Sequence, residues 1–533
     1  MAGTIVAAQP EAAEAGALIL SQGGNAVDAA VACALVQGVV DPQMVGIAGF
    51  GTVQIYMPSR GIHECIDFHG TCPGRSTPEM WEHLLEGETR DGFGFLLKGK
   101  INDAGYASVA VPGSLRAYEE LAGYGTFAWK DLLAPAIRQA REGFVVRPNV
   151  RAMWLMKESQ FGRVDMVDKL KLSATGRAAY FRADGGLKEV GERVSNPDLA
   201  ASLAEIAEKG ADVFYRGWIA ERIAEDMAAN GGLLTYDDLA GYRTRRSRPL
   251  RGTYRGLDIA SSAPPAGGVM LIEMLNFLEH FEVSAQRHNS VEHLQRLTEA
   301  MKFATRDKEL HVGDPAFVDI PLERLLSKEH AANAARAYDH GERISIERLG
   351  TPESTNTTQF CVADDEGNIV TMTHSLGTAS GIITDGLGFM YNACMNVFDP
   401  RPGRPGSIAP GKSRFTAMAP TIVFDGGEPK IVIGAPGGAH IAGALFQALV
   451  NIVDYGMSAV EAVSAPRISV TSNIVDVCNR IPRFVTDKLA EAGHPIARSP
   501  QSFAFGAPHA LLRRAGSWTG GADPQRDGVC ITV

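Results

Sequence analysis

The sequence predicts an α+β protein, and three patterns carry that reading. Residues 9–40 and about 113–240 have helical patterning, the chain beyond 357 breaks into short apolar strands, and strands also occur near 52–57, 65–68 and 252–261. Residues 9–40 read as a helix, the turn Gly23-Gly24-Asn25 and a second helix from Ala26 to Val40, which is small and apolar enough to be buried and is stopped by Asp41-Pro42. Gly46 to Gly51 resembles a dinucleotide loop, but it follows a helix and precedes a strand, the reverse of the order such a loop needs. It is therefore read as a tight turn into the strand Thr52 to Met57, with Cys65 to Phe68 as the next strand.

The middle supplies helices ending at Leu121 and spanning Trp129–Glu142, Asn196–Lys209 and Trp218–Asn230. A strand at Gly252–Ser261, the loop Pro264 to Gly268 and helices Met270–Phe281 and Val291–Arg306 follow. From about 325 to 355 apolar periodicity weakens, which predicts an exposed helix and then a loose tail ending at Asn356. Strands are expected at Phe360–Ala363, Ile369–His374, Thr421–Phe424 and Lys430–Gly434, with helices at Gly443–Tyr455 and Ser458–Ser464.

Composition excludes several classes. The 533 residues, 45% hydrophobic and 21% charged, suffice for a large core. A net charge of −10 argues against nucleic acid, and the Arg243 to Arg248 stretch is too short to reverse that. No run of about 18 apolar residues predicts a membrane span. The beginning of the chain lacks the basic and apolar regions of a signal peptide, and seven irregularly spaced cysteines offer neither a disulfide framework nor a zinc motif. A reducing cytoplasm is the expected compartment. The 13 histidines are scattered without ligand spacing, so no metal and no cofactor are expected.

The stretch Asn356-Thr357-Thr358-Gln359-Phe360 carries the chemistry. It opens a strand, and Asp364-Asp365-Glu366-Gly367-Asn368 makes the tight turn to a second strand closed by Ser375. A threonine hydroxyl needs a base, and an N-terminal threonine carries its own: an α-amino group with a reference pKa of about 7.7–8.0. Cleavage between Asn356 and Thr357 would create it. The Thr357 hydroxyl would attack the Asn356 carbonyl, an N-to-O acyl shift would follow, and hydrolysis would free the amine. The same hydroxyl would then form an acyl-enzyme with a small-molecule amide, released by water or an amine acceptor. Gly434 to Gly438 follows an apolar strand and suits either an oxyanion site or a plain strand-to-helix turn. Ser375, across the hairpin from Thr357, reads as a structural serine or a relay hydroxyl.

These residues resemble the γ-glutamyltranspeptidase family of N-terminal nucleophile hydrolases, over about residues 4–470. The matching strings are Gly23 to Ala30, Val111-Pro112-Gly113, Ala134 to Ile137 with Glu142-Gly143-Phe144, Phe214-Tyr215, Asp237-Asp238-Leu239, Pro264 to Gly268, Asn356-Thr357-Thr358, Asp364 to Asn368, Met418 with Pro420, and Pro436-Gly437-Gly438. The resemblance implies a four-layer αββα sandwich with a large helical portion in the N-terminal subunit. Residues 1–356 would form a large subunit and 357–533 a small one, compatible with a homodimer of such heterodimers. It assigns Thr357 as nucleophile, Ser375 as its supporting hydroxyl, and Gly437 and Gly438 as the oxyanion site, with Thr358 beside the substrate.

The recognition positions depart from the family. The arginine that clamps the substrate carboxylate is His69, the acidic residue for the α-amino group is Val397 in the segment holding Cys394 and Asn396, the asparagine beyond the relay hydroxyl is Gly377, and the serine pair is Thr416-Ala417. Valine cannot pair an ammonium, and a histidine cannot make a guanidinium's two-pronged bond. The expected substrate is therefore an amide whose acyl part lacks an α-ammonium, such as a dicarboxylic monoamide. Relatives such as glutaryl-cephalosporin acylases and oxamate amidohydrolase show drift of that kind. Arg404, Lys412 and Arg414 are candidate carboxylate contacts or, on the plainer reading, exposed loop charges. The short loop Asp399–Gly411 suggests an open site that favours hydrolysis. Two rival readings remain: a γ-glutamyl hydrolase or transferase with rearranged recognition, and an unprocessed scaffold.

Overall fold

The computed structural model describes residues 2–89, 94–346 and 357–533. Two antiparallel sheets stack between helical layers. The seven-stranded sheet runs, in order, Val529–Thr532, Gly3–Ala7, Thr358–Asp364, Ile369–Ser375, Phe50–Met57, Ile62–Phe68 and Arg245–Ser247. The six-stranded sheet runs Ser517–Ala522, His509–Arg514, Glu428–Gly434, Thr421–Asp425, Leu257–Ser261 and Leu250–Tyr254.

Side chains alternate across a strand, so each sheet has two faces to bury. Phe360, Val362, Val370 and Met372 pack with Pro10–Ser21, Ala26–Val40 and the helical middle in one core. Val423, Ile431 and Ile433 pack with Gly268–Leu278, Val291–His311 and Ile441–Val453 in another. A thin layer between the sheets holds Val6, Cys361, Ala363, Ile369, Ile422, Val432 and Leu511. This is the αββα sandwich that the resemblance implies.

Helix Ala26–Val40 explains why its sequence reads as apolar all round: one face meets the sheet and the other meets helix Trp129–Glu142, and of its residues only Gly38 is not fully buried. A capping box between Asn25 and Asp28 starts it. The hairpin turn also grips this helix, because Asp364 Oδ2 accepts from Ala26 N at 2.8 Å while Asp364 Oδ1 accepts from Asn368 N at 2.9 Å.

Two expectations are corrected, and one stretch gains structure. Gly252–Ser261 is two strands, because Arg255-Gly256, both at positive φ, turn the chain between Leu250–Tyr254 and Leu257–Ser261. The C-terminal stretch, to which the sequence reading assigns no elements, contributes strands to both sheets; its alternation is diluted by glycine and charge at sheet edges. Helix Val291–His311 runs past Arg306, with the polar Lys308 and His311 in its last turn. The predicted exposed helix is Lys328–Asp339, and the tail from 347 to Asn356 lies outside the described residues.

Polar groups between the sheets fix the register beside Thr357. Gln359 Nε2 donates to Thr371 Oγ1 at 2.9 Å and to Phe360 O at 2.7 Å, while its Oε1 accepts from Thr373. Gly434 in the facing sheet makes room for this amide: a Cβ there would lie 2.2 Å from Gln359 Nε2. Gly434→Ala is expected to cost about 1–3 kcal/mol by overpacking, read as a lowered Tm by calorimetry.

Candidate active site

Thr357 precedes the first paired residue of a strand whose seven residues are all buried. Thr357 itself is 3% exposed, and its Oγ1 donates to Ser375 Oγ at 3.3 Å. Ser375 also accepts from Gly377 N at 2.8 Å. Antiparallel pairing brings this about: Thr358 opposes His374, so the residue before one meets the residue after the other. Ser375 in turn opposes Phe50 across the next strand pair. The glycine-rich run at 46–51 thus leads into the strand that flanks the candidate site, not into a nucleotide loop.

Thr358 requires a correction. It is one residue further along the strand, so its side chain points to the helical face, away from Thr357. Its hydroxyl accepts from Gln9 Nε2 at 3.0 Å and Gln37 Nε2 at 3.1 Å. It is therefore a support of the strand and not a substrate contact. The network continues. Tyr118 OH donates to His374 Nδ1 at 2.5 Å, His374 Nε2 donates to Gln37 Oε1 at 2.7 Å, and Gln37 Nε2 donates to Gln9 Oε1 at 2.6 Å. Gln9 Nε2 donates to Asp41 Oδ2 at 2.6 Å, and Asp41 also accepts from Gln43, whose Oε1 takes the Trp154 indole N–H at 3.0 Å. Burial pushes the His374 imidazole down to about 3, so it is neutral, consistent with one accepting and one donating nitrogen. Burial raises the Asp41 carboxyl against the opposing pull of Arg147, Arg526 and the two glutamines.

The sequence reading missed Gln9, Gln37, Asp41, Tyr118 and His374. The available signal was a lone polar residue inside an apolar run, as at Gln37.

Gly437 and Gly438 lie where strand Glu428–Gly434 hands over to helix Ile441–Val453. Gly437 has φ +144°, and a Cβ there would lie 2.6 Å from Gly506 Cα, so no side chain fits. Gly438 also has positive φ, and His440 N donates to Gly437 O at 3.0 Å.

On the recognition side, His69 is 1% exposed and both ring nitrogens have protein partners: Nδ1 contacts Asp67 Oδ1, and Nε2 lies 2.8 Å from Thr416 Oγ1. Burial alone would raise the Asp67 carboxyl, but His69 and Arg245 hold it below its ordinary value. Asn396 Nδ2 donates to Thr378 Oγ1 at 2.8 Å, and Asn396 and Val397 share the short turn Cys394–Val397. Ala417 packs its backbone against Gly267, where a Cβ would lie 2.6 Å from Ala417 O.

The plain reading of Lys412 and Arg414 as exposed charges is corrected: they are 5% and 3% exposed, whereas the Arg404 side chain is 53% exposed and faces Asp399. Burial lowers the Lys412 ammonium. Arg414 stacks 4.5 Å over the Phe50 ring, and a Cβ at Gly377 would lie 3.2 Å from Arg414 Nη1. A buried guanidinium therefore stands beside the residue that donates to Ser375. Phe50 also faces the His69 ring at 6.2 Å, so these side chains share one wall.

Two stacked antiparallel sheets between helical layers, with a threonine at the head of a central strand, are the architecture of an N-terminal nucleophile hydrolase. The family model described as gamma-glutamyltranspeptidase matches residues 12–533, and the chain belongs to that family. The match runs beyond residue 470 and takes in the last strands. The acylase ACY 1 proenzyme of Pseudomonas sp. strain SE83 is 37% identical over 539 residues, covering 100% of this chain and 93% of the relative. The glutathione hydrolase proenzyme of Escherichia coli K12 is 33% identical over 484 residues, covering 87% and 80%. The crystal structure of cephalosporin acylase from Bacillus halodurans superposes with a TM-score of 0.87 at 29% identity, covering 99% of this chain and 95% of that one. The chain is accordingly an enzyme, a hydrolase of the γ-glutamyltranspeptidase family with acylase relatives.

His374 supplies a pH prediction. Its folded value of about 3 lies below its ordinary 6.5, so between these pH values the unfolded chain binds a proton that the folded chain does not. Stability is then expected to fall as pH drops through that window. His374→Asn should flatten the fall by up to one proton, about 1.4 kcal/mol per pH unit, while above pH ~7 the two proteins run parallel in denaturant titrations.

Proposed function

We propose that the protein is a self-cleaving amidohydrolase in which Thr357, freed by cleavage after Asn356, attacks amides whose acyl group ends in a carboxylate. The bond from Thr357 Oγ1 to Ser375 Oγ at 3.3 Å carries the catalytic half of this reading. After cleavage the Thr357 amine takes the hydroxyl proton, and Ser375, held by Gly377 N, steadies the alkoxide that forms. The N–H groups at Gly437 and Gly438 receive the tetrahedral oxyanion; loss of one such donor costs about 10²–10³ in rate. The proton returns to the leaving amine, and water completes the turnover. Residues 1–356 and 357–533 are the proposed large and small subunits, and they stay together because strand Gly3–Ala7 pairs with Thr358–Asp364 on one side and Val529–Thr532 on the other.

The specificity rests on Arg414. Where the family has a carboxylate clamp, His69 is tied to Asp67 and Thr416, and where it has an acid for the α-ammonium, Val397 stands. A buried arginine beside Gly377 then provides the cation for a terminal carboxylate, as in a glutaryl-type amide. Acylases among the relatives support this reading. The short Asp399–Gly411 loop, pinned through Arg401 to Asp399 and Glu88, supports hydrolysis over transfer to an amine. The proposed compartment is the cytoplasm, on the irregular cysteine spacing, with subcellular fractionation as the check.

Intact-mass analysis should give two fragments for the wild type and one chain near 57 kDa for Thr357→Ala, which should lack activity. A glutaryl anilide should be cleaved at least ~10-fold more efficiently than a γ-glutamyl anilide. Arg414→Leu should lower kcat/KM for the glutaryl compound by about 30-fold or more, the loss of about 2 kcal/mol expected when a buried charge loses its partner. A preference for the γ-glutamyl anilide would favour a true γ-glutamyl enzyme instead.

A further inference from the structure

Away from Thr357, three helices of the second core bring ligating side chains together. Glu273 lies on Gly268–Leu278, Asp307 on Val291–His311 and His330 on Lys328–Asp339. One ligating atom of each lies within 4.8 Å of the others, and His330 Nε2 is 2.5 Å from Asp307 Oδ2. Their wide separation along the chain hides this cluster from any reading of short motifs.

A second observation sets it apart from an ordinary acidic group. Glu273 is 0% exposed, and neither of its carboxylate oxygens receives a hydrogen bond from a described residue. Buried carboxylates are normally satisfied by donors, and leaving one bare is costly. The Asp307 carboxyl lies against it, within hydrogen-bond reach. Two carboxylates so placed need a proton or a cation between them. Arg306 lies 3.5 Å from Asp307 Oδ1, on the side away from His330, and the charges of Arg306 and Arg324 also act on Glu273.

We propose that Glu273, Asp307 and His330 bind one divalent transition cation of the zinc class, which braces the three helices. Two carboxylates balance a dication, and one imidazole nitrogen with carboxylate oxygens is a donor set zinc accepts. Zinc bonds of about 2.0–2.2 Å set ligand atoms about 3.3 Å apart, so the His330–Asp307 pair, at 2.5 Å, would open to that spacing and Glu273 would adjust, a matter of side-chain torsions. The Phe303 ring, 5.0 Å from the His330 ring, shields one flank, and the His330 side chain, 18% exposed, leaves an approach from solvent. The ion's role is structural, since all three ligands lie on helices of the second core. The inference stands or falls independently of the proposed amide chemistry.

The test uses the full-length protein stripped with a chelator and titrated with zinc chloride. One zinc per chain by elemental analysis and calorimetry, with a rise in Tm, is the expected result. Glu273→Gln keeps the shape and should weaken that zinc at least ~10-fold, with loss of the Tm rise. His330→Asn, at the partly exposed end, gives the same readout if the buried variant folds poorly. A cobalt-loaded sample should show a tetrahedral visible spectrum in the wild type that both variants lose. Absence of stoichiometric zinc, or zinc binding and Tm shifts unchanged in both variants, overturns the proposal. Higher stability of Glu273→Gln without any zinc effect also overturns it, showing that a shared proton satisfies the pair.

Discussion

The strand that starts at Thr358 has no freedom to slide. All seven of its residues are buried, both neighbours are hydrogen-bonded to it, and a one-residue slip would turn Phe360 and Val362 from the helical core into the inter-sheet layer. Thr358 locks that register, since its hydroxyl is held by two glutamines from two different segments. The position of Thr357 against Ser375 follows from that lock. Strands Gly3–Ala7 and Phe50–Met57, both from ahead of Thr357 in the chain, flank the hairpin of Thr358–Asp364 and Ile369–Ser375, so the sheet does not depend on a covalent link before Thr357.

The support beneath the hairpin is neutral where it touches Thr358. Tyr118, His374, Gln37 and Gln9 pass hydrogen bonds in one consistent direction, ending at the buried Asp41 carboxyl within the field of Arg147 and Arg526. A charged imidazole at 374 would suffer full desolvation with no carboxylate on its ring. A neutral one satisfies both nitrogens and leaves the hydroxyl side of the strand free of a competing base. The amine of a freed Thr357 is then the nearest proton acceptor that the proposed chemistry has to tune.

The fold was legible because its signals are local. The helix Ala26–Val40, the hairpin turn at Asp364 to Asn368 and the glycine pair at 437–438 each announce themselves within a few residues, through a capping residue, turn chemistry or a position only glycine can hold. The site was legible only in part. Thr357 and Ser375 meet because two adjacent strands pair, which the turn implied, whereas Gln9 and Tyr118 reach the same hairpin from 349 and 256 residues away. Thr358 was misread because a sequence motif groups neighbours that a strand sends to opposite faces. Lys412 and Arg414 were misread because glycine and proline around them mark a loop, and a loop folded into a cleft can be as buried as a helix.

His69 and Arg414 make sense only together. Both line the wall shared with Phe50, one ring 6.2 Å away and one guanidinium 4.5 Å above. Two arginines there would place two permanent cations in one buried pocket, each desolvated and each repelling the other. Histidine at 69 is instead held in place by its contacts with Asp67 and Thr416. Glycine at 377 completes the exchange by removing the side chain that would press on Arg414. On the proposed reading the cation has moved from the end of the Ile62–Phe68 strand to the loop facing it, with Thr357 and Ser375 left in place. A carboxylate drawn to Arg414 then approaches Thr357 from a different side, and an acyl group without an α-ammonium has no unpaired charge to bury against Val397.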